Sequence, residues 1–323
     1  SNTIIFSIVI PAFNEERYIR SCLDSVFALN FPKESYEVII VDNGSTDKTM
    51  EYASKYEAQC HTIIGVKVGA VRNFGASIAK GEFIAFLDSD CVVDKEWLNT
   101  AYKNLQSNSN LVIGGQYLMR DSPSWLEKYW VLNNSKTQIY QTTLVGGCIF
   151  IPMSTFLNVS GFDEKLHSGE DSDLTYRLRQ SGFEVEICPE LSVIHLGYPS
   201  NVTDFIKRQL WHSADYITNF KKSLKDKVFA ITLLFFSAFI GLLAGIGFTS
   251  ISTIIAASII LVLTPAILSY KRVSRSRTSY RTIRDLILIY LVDVLYLIGR
   301  SLGTLISLRN AIFMSFNEKK ISR

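Results

Sequence analysis

The sequence predicts an α/β domain built on a mostly parallel central sheet, followed by helices that enter a membrane. Three observations predict it. Residues from 4 to about 200 alternate short apolar runs with helical spacing, residues 228–269 hold no Asp, Glu, Lys or Arg over 42 positions, and basic clusters flank that stretch. The 323 residues suit one large or two ordinary domains. With 48% apolar and 20% charged residues, the composition excludes a disordered chain. A formal net charge of +3 is too small to argue for nucleic acid, so no such partner is expected.

Taken in order, residues 6–10 are an apolar strand closed by Pro11. Residues 16–28 have helical spacing at Tyr18, Ile19, Leu23, Val26 and Phe27. Strand and helix recur at 38–41 and 46–56, at 62–68 and 69–80, and at 83–87 and about 94–106. Continuous apolar strands joined by helices read as a parallel sheet covered on both faces. Ligands of such sheets bind beyond the carboxyl ends of the strands.

A bilayer core needs about 20 apolar residues per helix. The uncharged stretch therefore reads as two spans, 228–247 and 251–269, turned at Phe248-Thr249-Ser250. A third apolar segment, 283–308, carries Arg284, Asp285, Asp293 and Arg300. It fits either an interfacial helix or a third span with its polar face inward. Lys207, Arg208, Lys221, Lys222, Lys225 and Lys227 precede the first span. Lys271, Arg272, Arg275, Arg277, Arg281 and Arg284 follow the second. Positive flanks belong in the cytoplasm, which places the N-terminal domain inside the cell, on a multi-pass chain in the cytoplasmic membrane. Arg309, Lys319, Lys320 and Arg323 at the end favour the interfacial reading of the third helix. The expected organisation is thus domain 1–200, amphipathic region 201–227, two spans within 228–269, and a basic loop, third helix and tail over 270–323. No signal peptide is expected before Ile4; Ser1-Asn2 are set aside. Cys22, Cys60, Cys91, Cys148 and Cys188 lack zinc spacing and read as free thiols of a reducing compartment.

Acidic loops follow three strands: Asn14-Glu15-Glu16, Asp42 to Asp47, and Asp88-Ser89-Asp90. An extended Asp-x-Asp turns both carboxylates to one side, where their repulsion calls for a cation. Mg²⁺ or Mn²⁺, completed by substrate phosphates, suits oxygen ligands of this kind. Asp42 and Asp47 also suit plain turn or cap roles. No Walker loop or dinucleotide fingerprint is present.

Several motifs, in order, resemble the inverting glycosyltransferases of family 2, which have the GT-A fold. They are SIVIPAFNEE (7–16), VDNGSTD (41–47), GAVRNFG (69–75), FLDSD (86–90), VGGC (145–148), GFD (161–163) and GED (169–171). The resemblance covers about residues 4–200 and implies a nucleotide-sugar donor, most commonly UDP-linked. It places Pro11, Ala12, Phe13, Asn14, Glu15 and Asp42 at the nucleotide, with Arg72 and Asn73 near the donor. It assigns Asp88, Ser89 and Asp90 to the metal-bound diphosphate. His195 completes the metal site in that pattern; otherwise it is a hydrogen-bonded strand histidine. Asp171, beside Glu170, is the implied general base. At the start of a helix, Asp171 is expected to have a lowered pKa, and Asp173 to cap that helix.

A base argues for a hydroxyl acceptor, because a phosphate acceptor is already anionic. The implied reaction is single-sugar transfer to a lipid-linked saccharide. A processive polysaccharide synthase is the alternative, although Lys207-Arg-Gln-Leu-Trp211 lacks the Gln-x-x-Arg-Trp of such enzymes. Gly147, Trp211 and His212 are placed toward the acceptor. Phe205, Leu210, Trp211 and Ile217 also suit docking on the bilayer. A non-catalytic nucleotide-sugar-binding subunit is the alternative from another class, and a homo-oligomer is compatible with either.

Overall fold

The computed structural model describes residues 3–132, 137–139, 141–166, 168–214, 216–217, 220–224, 226–276 and 282–321, excluding the side chains of 221, 222 and 313–321. The flanking charges expected at Lys221, Lys222, Lys225, Arg277, Arg281, Lys319, Lys320 and Arg323 lie outside the described side chains.

The chain forms two compact units: Ser1–Asp121 with Asn134–Tyr198, and Ser122–Asn133 with Pro199–Arg323. In chain order the first unit contains β1 (Phe6–Ala12), α1 (Ile19–Phe27), β2 (Tyr36–Asp42), α2 (Thr49–Ala53), β3 (Gln59–Thr62), α3 (Val68–Ile78), β4 (Phe83–Leu87), β5 (Cys91–Val92), α4 (Trp97–Leu105), β6 (Leu111–Gly114) and β7 (Tyr117–Leu118). After α5 (Trp125–Val131), which belongs to the second unit, it resumes with β8 (Cys148–Pro152), α6 (Met153–Asn158), α7 (Glu170–Gln180), β9 (Glu184–Ile187) and β10 (Val193–His195).

Among the described residues, seven strands form one sheet in the order β3-β2-β1-β4-β8-β6-β9. Strands β1, β2, β3 and β4 are parallel, whereas β8 runs antiparallel to both neighbours. Side chains alternate between the faces, as the two-residue period of a strand requires. Phe6, Ile8 and Ile10 enter one core with Leu23 of α1 and Trp97 of α4. Val9, Ile84 and Phe86 enter the other with Ala76 of α3 and Leu174 of α7. Pro11 is tolerated because β4 pairs with β1 only as far as Val9.

Two expectations shift. The third strand is 59–62, not 62–68, because residues 63–67 form the loop into α3. A second, three-stranded sheet, β5-β10-β7, has no counterpart in the sequence reading.

The second unit contains α5, α8 (Val202–Ser213), α9 (Phe220–Ser223), α10 (Lys227–Gly247), α11 (Ile251–Ser276) and α12 (Ile283–Ile321). Within the amphipathic region expected over 201–227, helix α8 covers only Val202–Ser213. Among the described residues, three helices are long and apolar enough to cross a membrane: Lys227–Gly247, Ile251–Ser276 and Ile283–Ile312. The third is more buried, at 44% of its apolar window against 28% and 22%. Within this unit Asp293 of α12, 1% exposed, accepts from Arg272 of α11 at 2.6 Å and from Ser269 at 2.7 Å. The same guanidinium donates to the Tyr129 and Trp130 carbonyls at the end of α5. Gly299 and Gly303 let α12 lie close to α8, since a Cβ there would meet Gln209 Cβ at 2.6 Å and Ser213 Oγ at 2.0 Å.

Candidate active site

The parallel register brings the carboxyl ends of β1, β2 and β4 to one edge of the first sheet, with Ala12 beside Asp42. The loops beyond them are laced together. The Asn14 amide donates to Ser45 Oγ at 2.8 Å, and Asn14 Oδ1 accepts from the Thr46 amide at 2.8 Å. The Glu15 amide donates to Thr49 Oγ1 at 2.7 Å. Asn14 takes a positive φ of 55°, which asparagine tolerates. Pro11 and Ala12 are buried, while Phe13 is 55% exposed. Asp42 is spent within its own turn, accepting from the Gly44 and Ser45 amides at 3.1 Å. Asp47 accepts from the Glu16 amide at 3.0 Å and the Thr49 amide at 2.9 Å, a bracing role.

Asp88-Ser89-Asp90 is not extended. The Cys91 amide donates to the Asp88 carbonyl at 3.0 Å and closes a turn, and the two carboxylates take different partners. Asp88 Oδ1 accepts from Arg72 Nη2 at 2.7 Å, and its Oδ2 accepts from the Tyr117 hydroxyl at 2.8 Å. Burial works to raise the Asp88 pKa, but Arg72 and these hydrogen bonds outweigh it and hold the carboxyl below its ordinary range. Asp90 Oδ2 lies 3.3 Å from His195 Nε2. The small sheet causes that meeting, because β10 pairs with β5 so that His195 stands opposite Cys91. Ser89, between the acids, is 4% exposed.

Arg72, 3% exposed on α3, ties the two sides of the site together. Its Nη2 binds Asp88, and its Nη1 binds Glu170 Oε1 at 2.7 Å. Gly146 is required here, since a Cβ would lie 2.5 Å from Arg72 Nη2; at Gly147 it would lie 2.6 Å from Asp88 Oδ2. Asn73 does other work. Its amide group donates to the Phe162 carbonyl at 2.9 Å and accepts from the Phe162 amide at 2.9 Å, pinning the GFD loop to α3.

Asp171 stands in the first turn of α7, whose N-cap is Gly169 at φ 78°. Its Oδ2 accepts from the Gly146 amide at 3.1 Å and its Oδ1 from the Ser172 amide at 2.7 Å. The expectation of a lowered pKa is reversed. Burial, then the adjacent Glu170, raise the Asp171 pKa and outweigh the two amides and Arg72. Asp173 does not cap the helix; it pairs with Arg177 Nε at 2.7 Å. Glu15 is pushed up to about 8 by burial and by Asp90, Asp88 and Asp47. Tyr117 belongs to no motif, and only the structure reveals it. Trp211 and His212 lie on α8 of the second unit. Trp211 is 61% exposed, and burial with Arg300 and Arg208 brings the His212 pKa down to about 4.

The donor set fits a hard divalent cation only in part. Among the described residues, no three His, Cys, Asp or Glu side chains gather to hold an ion alone. Asp90 and His195 meet, whereas Asp88 is turned to Arg72 and Tyr117. A pair of protein ligands suits Mg²⁺ or Mn²⁺ completed by substrate phosphate oxygens.

A mostly parallel sheet with acids at its carboxyl edge and a carboxylate beside them at a helix start makes this a GT-A glycosyltransferase. The chain matches the family described as Glycosyl transferase family 2 over residues 7–164. It is similar to Glycosyltransferase AglE of Haloferax volcanii, 28% identical over 63% of this chain and 70% of that protein. The dolichyl N-acetyl-α-D-glucosaminyl phosphate 3-β-D-2,3-diacetamido-2,3-dideoxy-β-D-glucuronosyltransferase of Methanococcus voltae is 26% identical over 64% of this chain and 71% of that one. Poly(ribitol-phosphate) β-N-acetylglucosaminyltransferase TarS of Staphylococcus aureus is 31% identical over 53% of this chain but only 32% of its own length. A crystal structure of S. aureus TarS aligns with a TM-score of 0.46 at 23% identity, covering 67% of this chain and 40% of that one.

Proposed function

We propose that the protein transfers one sugar, with inversion, from a nucleotide-diphosphate sugar to a hydroxyl of a lipid-linked saccharide at the cytoplasmic face of the membrane. The observation that carries this reading is the chain Asp88–Arg72–Glu170–Asp171. It sets a carboxylate of raised pKa next to the acids at the sheet edge.

The acceptor hydroxyl is a weak nucleophile until its proton is removed. Asp171 takes that proton. A raised pKa makes it a stronger base than an ordinary aspartate. The Gly146 amide and the helix start fix its carboxylate. Arg72 anchors Glu170 beside it, and attack opposite the leaving diphosphate inverts the sugar carbon. Pro11, Ala12, Phe13, Asn14 and Glu15, with Asp42 bracing the neighbouring turn, form the surface for the nucleotide. Ser89 and Asn73 shape its floor and its loop. Asp90 and His195 would hold Mg²⁺ or Mn²⁺, which when bound supplies charge neutralisation to the departing diphosphate.

The lipid-linked acceptor is supported by the three apolar helices and by the Methanococcus relative, whose name specifies a dolichyl-linked acceptor. Gly147, beside Asp88 and Tyr117, serves the acceptor in this reading. The test is a panel of nucleotide sugars offered with polyprenyl-linked and lipid-free saccharides in detergent. Transfer dependent on the lipid is expected. Equal rates on the lipid-free sugar contradict the acceptor assignment.

A further inference from the structure

Three groups of the site meet on Tyr117. Its hydroxyl lies 2.8 Å from Asp88 Oδ2 and 2.9 Å from the Gly147 amide, and its ring centroid lies 4.7 Å from that of His195. The direction of these bonds is fixed by chemistry. An amide N–H can only donate and an ionised carboxylate can only accept, so the hydroxyl proton is committed to Asp88. Asp88 is then held by a donor on each oxygen, Arg72 on Oδ1 and Tyr117 on Oδ2. Rotation of the carboxylate would break both bonds. Arg72, so anchored, spans to Glu170 beside Asp171.

Resting on the transfer reading above, we propose that Tyr117 is a positioning residue of the donor site. Its hydroxyl fixes the rotation of the Asp88 carboxylate and, through Asp88, the reach of Arg72 toward the base. Glycine at 147 is what admits the arrangement, since a methyl group there would lie 2.7 Å from the Tyr117 hydroxyl.

The experiment uses the full chain in detergent. The wild type first selects the nucleoside diphosphate it binds among UDP, GDP and dTDP. That nucleotide's affinity is then titrated with and without Mn²⁺ for Tyr117→Phe, Asp88→Asn and the double variant, alongside kcat, KM and thermal midpoint. Tyr117→Phe keeps the ring on His195 and removes only the hydroxyl. The expected result is nucleotide affinity weakened roughly tenfold, the loss of one hydrogen bond to a charged group, at a thermal midpoint close to wild type. On the Asp88→Asn background the same substitution should add less than about twofold, because the two act as one unit. Gly147→Ala would crowd both Asp88 Oδ2 and the Tyr117 hydroxyl and should weaken affinity at least as much. Wild-type affinity in Tyr117→Phe, or losses that multiply in the double variant, overturns the proposal. The transfer reading fails separately: an Asp171→Asn chain that still turns over donor contradicts the base and leaves the binding result for Tyr117 standing.

Discussion

In the proposed transfer, burial is what suits the Asp171 carboxylate to act as the base. Buried beside Glu170, it holds its proton to a higher pH than a free aspartate, whose pKa is about 3.9. The base works only when ionised, so activity must fall as pH drops through that raised value. The acid limb of the kcat profile should therefore lie above the ordinary aspartate range; a limb at or below about 3.9 contradicts the assignment. The cation pair gives a second expectation. Mn²⁺ with the bound nucleoside diphosphate should raise the thermal midpoint of the wild type, and Asp90→Asn should remove most of that rise, as read by thermal unfolding. An undiminished rise would place the cation elsewhere. Both acids stood out in the sequence because they follow an apolar strand or open a helix. Their orientations did not. Nothing in Asp88-Ser89-Asp90 shows that the Cys91 amide closes a turn there, or that Arg72 and Tyr117 take Asp88 while His195 meets Asp90. Tyr117 was illegible for a similar reason: its role comes from contacts with Asp88 and Gly147, each about 30 residues away.

Strands with long apolar runs were readable and short ones were not. Strands β1, β2 and β4 are buried on both faces, so continuous hydrophobicity marks them. Strands β5 and β7 hold two residues each, too few for any period, yet β5 sets His195 beside Asp90. Strand β3 was displaced because its residues are largely exposed. The fit of α3 to the sheet gives a test at this level. A Cβ on Gly75 would lie 2.4 Å from Val9 Cγ1 and 3.2 Å from Val41 Cγ2. Gly75→Ala should cost about 1–3 kcal/mol by overpacking, read as a lowered midpoint in denaturant. A cost near zero would mean that α3 is free to lift from β1 and β2.

The molecule joins a catalytic unit to a helical unit with three apolar helices. The uncharged stretch made the α10–α11 hairpin plain in the sequence, and α12 was the uncertain one. Length and composition allow it to span, and the interfacial placement is the proposal that its Arg284, Asp285, Asp293 and Arg300 prompt. Its Gly299 and Gly303 lie on α8, a helix with polar Asp204 and Lys207 exposed. On another face, Ile298, Leu302 and Leu305 form an exposed apolar stripe, which a helix in the interface or across it would turn to lipid. A topology reporter fused after Arg323 should then report the same side of the membrane as one fused before Ile4. Opposite sides would make α12 a third span.

The most direct test of transfer by Asp171 follows one donor through two chains. Wild type and Asp171→Asn are titrated with the nucleoside diphosphate and then assayed with the matching nucleotide sugar and a lipid-linked acceptor. The account predicts equal nucleotide affinity, an inverted product from the wild type, and turnover at least about 100-fold lower in the variant. Turnover in Asp171→Asn within a few fold of wild type contradicts it.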